Sequence, residues 1–167
     1  AAPVALWAVQ VACQGARAAL GLPAHAQRAE LLLLAARDGW RADRDGAGLD
    51  LLCLGFLVVA VAPLAEEFLF RFFTYETVRK YAGGPASFVS TPMVFSLAHL
   101  EAPDPSAIGL LSETVGTLLP ILVLGVFLQA LWVRTRSLWP CVAAHAAVNG
   151  LTFALLVAGR EAWLSPW

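Results

Sequence analysis

The chain has 167 residues, enough for one domain. Residues of the AVILMFWYC set make up 59% and charged residues 14%, against roughly 45–50% and about 25% in soluble domains. That composition excludes a water-soluble fold and intrinsic disorder, and a net charge of −1 excludes the basic surface that nucleic acid requires.

An all-α, polytopic transmembrane helix bundle is the fold class that remains, and each crossing needs about 20 mostly apolar residues. The first candidate falls in residues 1–22, where Gln10, Gln14 and Arg17 form a polar face against protein. It has no basic start and makes a poor signal peptide, although opening on Ala rather than Met is expected of a processed or partial chain. Residues 23–47 form a polar linker. Arg28, Arg37, Arg41, Arg44 and four acidic residues surround the apolar run 31–36, too short to cross and read as an interfacial helix. His25 there is a surface residue. The spans 49–73, 86–100, 116–133 and 138–158 follow, the second short and interrupted by Pro92. About five spans result, with residues 48–158 as the catalytic core and 159–167 as a tail. Cys13, Cys53 and Cys141 form no C-x-x-C and read as buried apolar thiols.

Loop charge bears on sidedness. The connections 74–85 (Arg79, Lys80) and 134–137 (Arg134, Arg136) fall on one side by parity, and 101–115 carries no Lys or Arg. The positive-inside rule makes the basic pair cytoplasmic, with Tyr75, Tyr81, Trp132 and Trp139 as an aromatic belt. The four arginines of the linker fall on the other side and conflict with that assignment.

Charged groups at a bilayer centre cost roughly 2.5–3.5 kcal/mol each on insertion scales, yet Glu66, Glu67, Arg71, His99 and His145, with the polar Asn149, all lie in spans. Glu67 and Arg71 are i,i+4 and can pair. Glu66, about 100° further round the helix, has no partner at helical spacing and is the candidate general base. His145 and Asn149, also i,i+4, can both donate to one oxygen and serve a developing oxyanion. On a third helix Phe95 would wall the site, while His99 holds or polarises a water. Glu66 and His145 sit at the same depth, ~12 Å from the same side. His99, at ~21 Å on a straight helix, meets them if Pro92 kinks its span.

Glu66-Glu67-x-x-x-Arg71, Phe95-x-x-x-His99 and His145-x-x-x-Asn149, in that order and each on an apolar helix, resemble the motifs of the CAAX protease and bacteriocin-processing family of intramembrane endopeptidases. The resemblance implies glutamate-dependent hydrolysis without an acyl-enzyme. Glu66 with His99 would activate water, His145 with Asn149 would form the oxyanion hole, and Glu67, Arg71 and Phe95 would support them. Phe72 stands where the family usually has Gly. Family members typically have more than five spans, which implies that N-terminal helices are missing. No cofactor is expected; zinc is the minor alternative, since there is no H-E-x-x-H and the histidines lie on separate helices. The expected partners are membrane lipid and a hydrophobic or lipidated peptide, with no nucleic acid. Lys80 is the only lysine among 11 basic residues, which suggests a GC-rich bacterial genome and hence a bacterial plasma membrane. Two other functions fit intramembrane Glu and His. One is a proton-coupled transporter, for which five spans without an inverted repeat leave little room. The other is a non-catalytic immunity or partner-binding membrane protein.

Overall fold

A computed structural model describes residues 12–13, 15–16, 19–21, 28–42, 45–100 and 106–158. Most of the first expected span, His25 and the tail lie outside the described residues. Regular structure among the described residues is helical. It comprises α1 (Arg28–Arg41), α2 (Ala47–Ala82), α3 (Gly84–Leu97), α4 (Ile108–Thr135) and α5 (Leu138–Val157).

The helix α2 starts after Gly46 (φ 79) and stops at Gly83 (φ 86), positive-φ positions that glycine takes without a Cβ clash. The expected loop 74–85 is therefore helical apart from Gly83. No breaker precedes that glycine, and Glu76 pairs with Arg79 at 2.7 Å, i,i+3. Two stretches of α2 are π-helical, Leu57–Val61 and Phe68–Tyr75. The first lies just ahead of Pro63, and Thr114–Leu118 lies just ahead of Pro120 in α4. A wider i→i+5 turn moves carbonyls away from a ring that would strike the i−4 carbonyl and that lacks an N–H to bond it.

Three helices among the described residues, α2, α4 and α5, are long and apolar enough to cross a membrane. The 14 residues of α3 reach ~21 Å, short of a hydrocarbon core of about 30 Å. Helices α2, α4 and α5 account for three of the five expected spans, and most of the first expected span lies outside the described residues. Pro92 lies inside α3 without ending it.

The packing inverts that of a soluble domain. Glu67, Arg71, Thr91 and Gln129 are fully buried, while Leu49, Leu52, Phe56, Phe68 and Phe72 point outward. An outward face this apolar needs lipid to cover it, and the protein is an integral membrane protein. Cys141 is buried but Cys53 is exposed on that outer face, so the expectation of three buried thiols is corrected. Tyr75 and Trp132 are also buried rather than part of a belt, and Trp132 Nε1 donates to Glu76 Oε1 at 3.3 Å. Tyr81 and Trp139 are exposed.

Helix ends explain several charges. Arg37 Nη1 donates to Leu156 O (3.1 Å) and Arg41 Nη2 to Val157 O (2.9 Å), satisfying carbonyls at the end of α5 that have no intrahelical partner. Two of the four linker arginines that conflict with the loop-charge assignment thus have structural partners. At the opposite end of α5, Glu76 Oε1 meets Arg136 Nη1 at 3.1 Å. The two basic connections therefore lie together.

Candidate active site

Three helices that are distant in sequence deliver the polar side chains. Glu66, Glu67 and Arg71 come from α2, Phe95 from α3 and His99 from the turn after it, and His145 and Asn149 from α5. Close approach of α3 and α4 sets the position of Phe95. A Cβ on Gly125 would stand 3.0 Å from Phe95 Cδ1 and 3.3 Å from Pro92 Cβ, so a larger residue there would require these neighbours to give way by a few tenths of an ångström.

Phe95 is fully buried and is the hub of the cluster. Its ring meets Phe70, His99 and His145 edge-on at centroid distances of 5.1, 5.0 and 5.9 Å. The Arg71 guanidinium lies over its face at 4.7 Å, the electron-rich side that attracts a cation. Arg71 Nε stands 3.1 Å from Glu67 Oε2 in a fully buried ion pair. Glu67 Oε1 accepts from His145 Nδ1 at 2.9 Å. The chain of contacts thus runs from Arg71 through Glu67 to His145.

The two histidines present the same edge to the site. His99 Nδ1 lies 2.8 Å from Phe95 O, and a carbonyl can only accept, so Nδ1 carries the proton. His145 Nδ1 faces the Glu67 carboxylate and carries its proton for the same reason. Each ring therefore turns Nε2 toward Glu66, and each Nε2 lies 3.8 Å from Glu66 Oε2. That separation is too long for a direct hydrogen bond, and Glu66 Oε2 is buried without a hydrogen-bond partner. Glu66 and His99 side chains are 29% and 27% exposed, whereas His145 and Glu67 are buried at 4% and 0%. The cluster has an open front and a closed back.

Glu66, which has no partner along its own helix, faces two imidazoles from other helices. Asn149 Nδ2 donates one of its two N–H groups to Val58 O at 2.9 Å. Two further polar residues, Gln129 and Thr91, are fully buried, and Gln129 Oε1 and Nε2 and Thr91 Oγ1 have no hydrogen-bond partner. Gln129 has no polar i±4 neighbour and Thr91 has only Ser87, four residues before it; placement in apolar spans is what sets the two apart. As for zinc, no group of three or more His, Cys, Asp or Glu among the described residues is arranged to hold a metal ion.

No curated protein and no solved structure matches the chain. Residues 48–151, from the start of α2 into α5 and across all the motif residues, match the Rce1-like type II CAAX prenyl endopeptidases. With more than half of its length matched, the chain belongs to this Rce1-like family and is a membrane-embedded protease.

Proposed function

We propose that this protease hydrolyses a peptide bond of a membrane-associated substrate with a water activated by Glu66. The observation that carries this reading is a single carboxylate oxygen, Glu66 Oε2, placed 3.8 Å from the Nε2 atoms of both His99 and His145. A water admitted beside the Glu66 carboxylate donates one proton toward it and is oriented by the Nε2 lone pair of His99. Its oxygen adds to the peptide carbonyl carbon as Glu66 takes the proton. The C–N bond then breaks, and Glu66 returns the proton to the leaving amine. His145, protonated on Nε2, faces the oxyanion of the intermediate, and the Glu67 carboxylate at Nδ1 balances its charge. Arg71 and Phe95 hold Glu67 and the two rings in place.

The reaction leaves a carboxylic acid and an amine, and no step requires a metal or cofactor. The substrate is a hydrophobic or lipidated peptide segment that reaches Glu66 and His99 from their exposed side. Membrane lipid is its solvent, and the lysine-poor composition supports a bacterial plasma membrane. Glu66→Gln tests the mechanism in liposomes with fluorogenic apolar peptides, prenylated and unprenylated. Turnover is expected to fall by at least ~10²-fold, the scale of general-base catalysis, with an unchanged unfolding midpoint because Glu66 is partly exposed. Full activity in that variant would remove Glu66 as the base.

A further inference from the structure

The last turns of α2 carry a groove that shares no residue with the candidate active site. Phe72, Phe73, Glu76, Thr77, Lys80 and Tyr81 line it, around a volume of about 370 Å³. They form two rows at a spacing of four, Phe72 with Glu76 and Lys80, and Phe73 with Thr77 and Tyr81. Each row is apolar at one end and polar at the other, and Phe73 lies ~10 Å deeper along the axis than Lys80. Tyr81, beside Gly83, and Trp139, beside the connection 134–137, are exposed at this end of the bundle, as aromatic rings at the level of lipid headgroups are.

Charge at the polar end is unbalanced. Glu76 is the one carboxylate that lines the groove, and both its oxygens are engaged, Oε2 by Arg79 at 2.7 Å and Oε1 by Arg136 at 3.1 Å. Lys80 Nζ lies 5.2 Å from the centre of the Tyr81 ring, and no carboxylate among the described residues pairs with it. Three cations thus stand against one carboxylate, at the depth where a lipid phosphate sits. We propose that this groove binds one anionic phospholipid, with its phosphate on Lys80 and an acyl chain along Phe72 and Phe73. The lysine stem runs along apolar surface and carries the ammonium to the phosphate. The Thr77 and Tyr81 hydroxyls are the further donors at that end. A zwitterionic lipid fits less well, because its fixed choline cation would stand among Arg79, Lys80 and Arg136.

The test is native mass spectrometry of the full chain in detergent, titrated with dioleoyl phosphatidylglycerol or with dioleoyl phosphatidylcholine. One phosphatidylglycerol is expected to be retained, with a Kd at least ~5-fold below that of phosphatidylcholine, the weight of one cation at an anionic surface. Lys80→Gln should weaken phosphatidylglycerol by about fivefold or more and leave phosphatidylcholine unchanged. Arg134→Gln, at the same end but outside the groove, should leave both lipids unchanged. Phe73→Ala should weaken both lipids, since it removes apolar surface from under the chain. Thermal unfolding gives a second reading. Phosphatidylglycerol at 100 times its Kd is expected to raise the midpoint by ~5–10 °C, and that rise should shrink by ~2–4 °C in Lys80→Gln.

Equal losses in Lys80→Gln and Arg134→Gln would mean diffuse attraction to a basic surface and would overturn the site. Equal retention of the two lipids, or an unchanged Kd in Phe73→Ala, would overturn it as well. Displacement of the lipid by a farnesylated peptide, together with a raised KM in Lys80→Gln, would give the groove to the substrate instead. The lipid site does not rest on Glu66 as the base. Glu66→Gln is expected to retain phosphatidylglycerol whether or not it is active, so the failure of either reading is seen separately.

Discussion

At the scale of single residues, the interior is held by charge in a setting that penalises it. Arg71 and Glu67 are both fully buried, and their pairing reduces a desolvation cost that neither could bear alone. Breaking such a pair by removing one partner typically costs about 3–5 kcal/mol. Phe95 gives Arg71 a second favourable surface, and His145 gives Glu67 a hydrogen bond. Gln129 has no such compensation, because both polar atoms of its buried amide lack partners, and an unmade buried hydrogen bond costs about 1–3 kcal/mol. Gln129→Leu, similar in size and apolar, is therefore expected to keep the unfolding midpoint or raise it by ~2–4 °C. A clear fall in midpoint would mean that the amide is bonded in the bilayer.

At the scale of elements, prolines and glycines decide how closely the helices approach. The π-helical turns ahead of Pro63 and Pro120 let long helices run through residues that ordinarily break them. Gly125 lets α4 approach Pro92 and Phe95 on α3, and Phe95 in turn holds His99 through its carbonyl. Gly125→Val would force both neighbours to move, a strain of about 1–3 kcal/mol for overpacking. Turnover is expected to fall by ~10-fold or more, with a lower midpoint. Gly84→Ala is the control, because a Cβ there meets nothing within 4 Å, and it should leave both readings unchanged. Equal effects of the two substitutions would separate Gly125 from the placement of His99.

At the scale of the whole molecule, the burial pattern fits only one solvent. Apolar side chains such as Leu64 and Phe68 of α2 point outward, while carboxylate, guanidinium, imidazole and amide groups fill the interior. Lipid satisfies the outer face, and helices satisfy their own backbone bonds, so the inward-facing polar groups are free to assemble a site. Leu64→Asp places a charge on the outer face and is expected to cost about 2.5–3.5 kcal/mol of insertion free energy near mid-span. Leu64→Ala should insert almost normally. Insertion measured on glycosylation-reporter fusions checks both, and equal insertion of the two would place Leu64 away from lipid.

The sequence by itself determined the solvent, the helical class and the identity of the polar groups. Apolar runs near 20 residues and intramembrane Glu66, Glu67, Arg71, His99, His145 and Asn149 are legible without coordinates, because hydrocarbon tolerates such groups only where something binds them. The i,i+4 pairing of Glu67 with Arg71 was legible for the same local reason, since 3.6 residues per turn puts the two on one face. Helical spacing failed where partners come from other helices. It grouped His145 with Asn149 but could not show that packing of α5 on α2 brings Glu67 to His145 and Val58 to Asn149. It left Glu66 alone, whereas the meeting of α2, α3 and α5 sets it before two imidazoles. Local periodicity states which face of a helix a side chain occupies; only the tertiary structure decided what stands opposite that face.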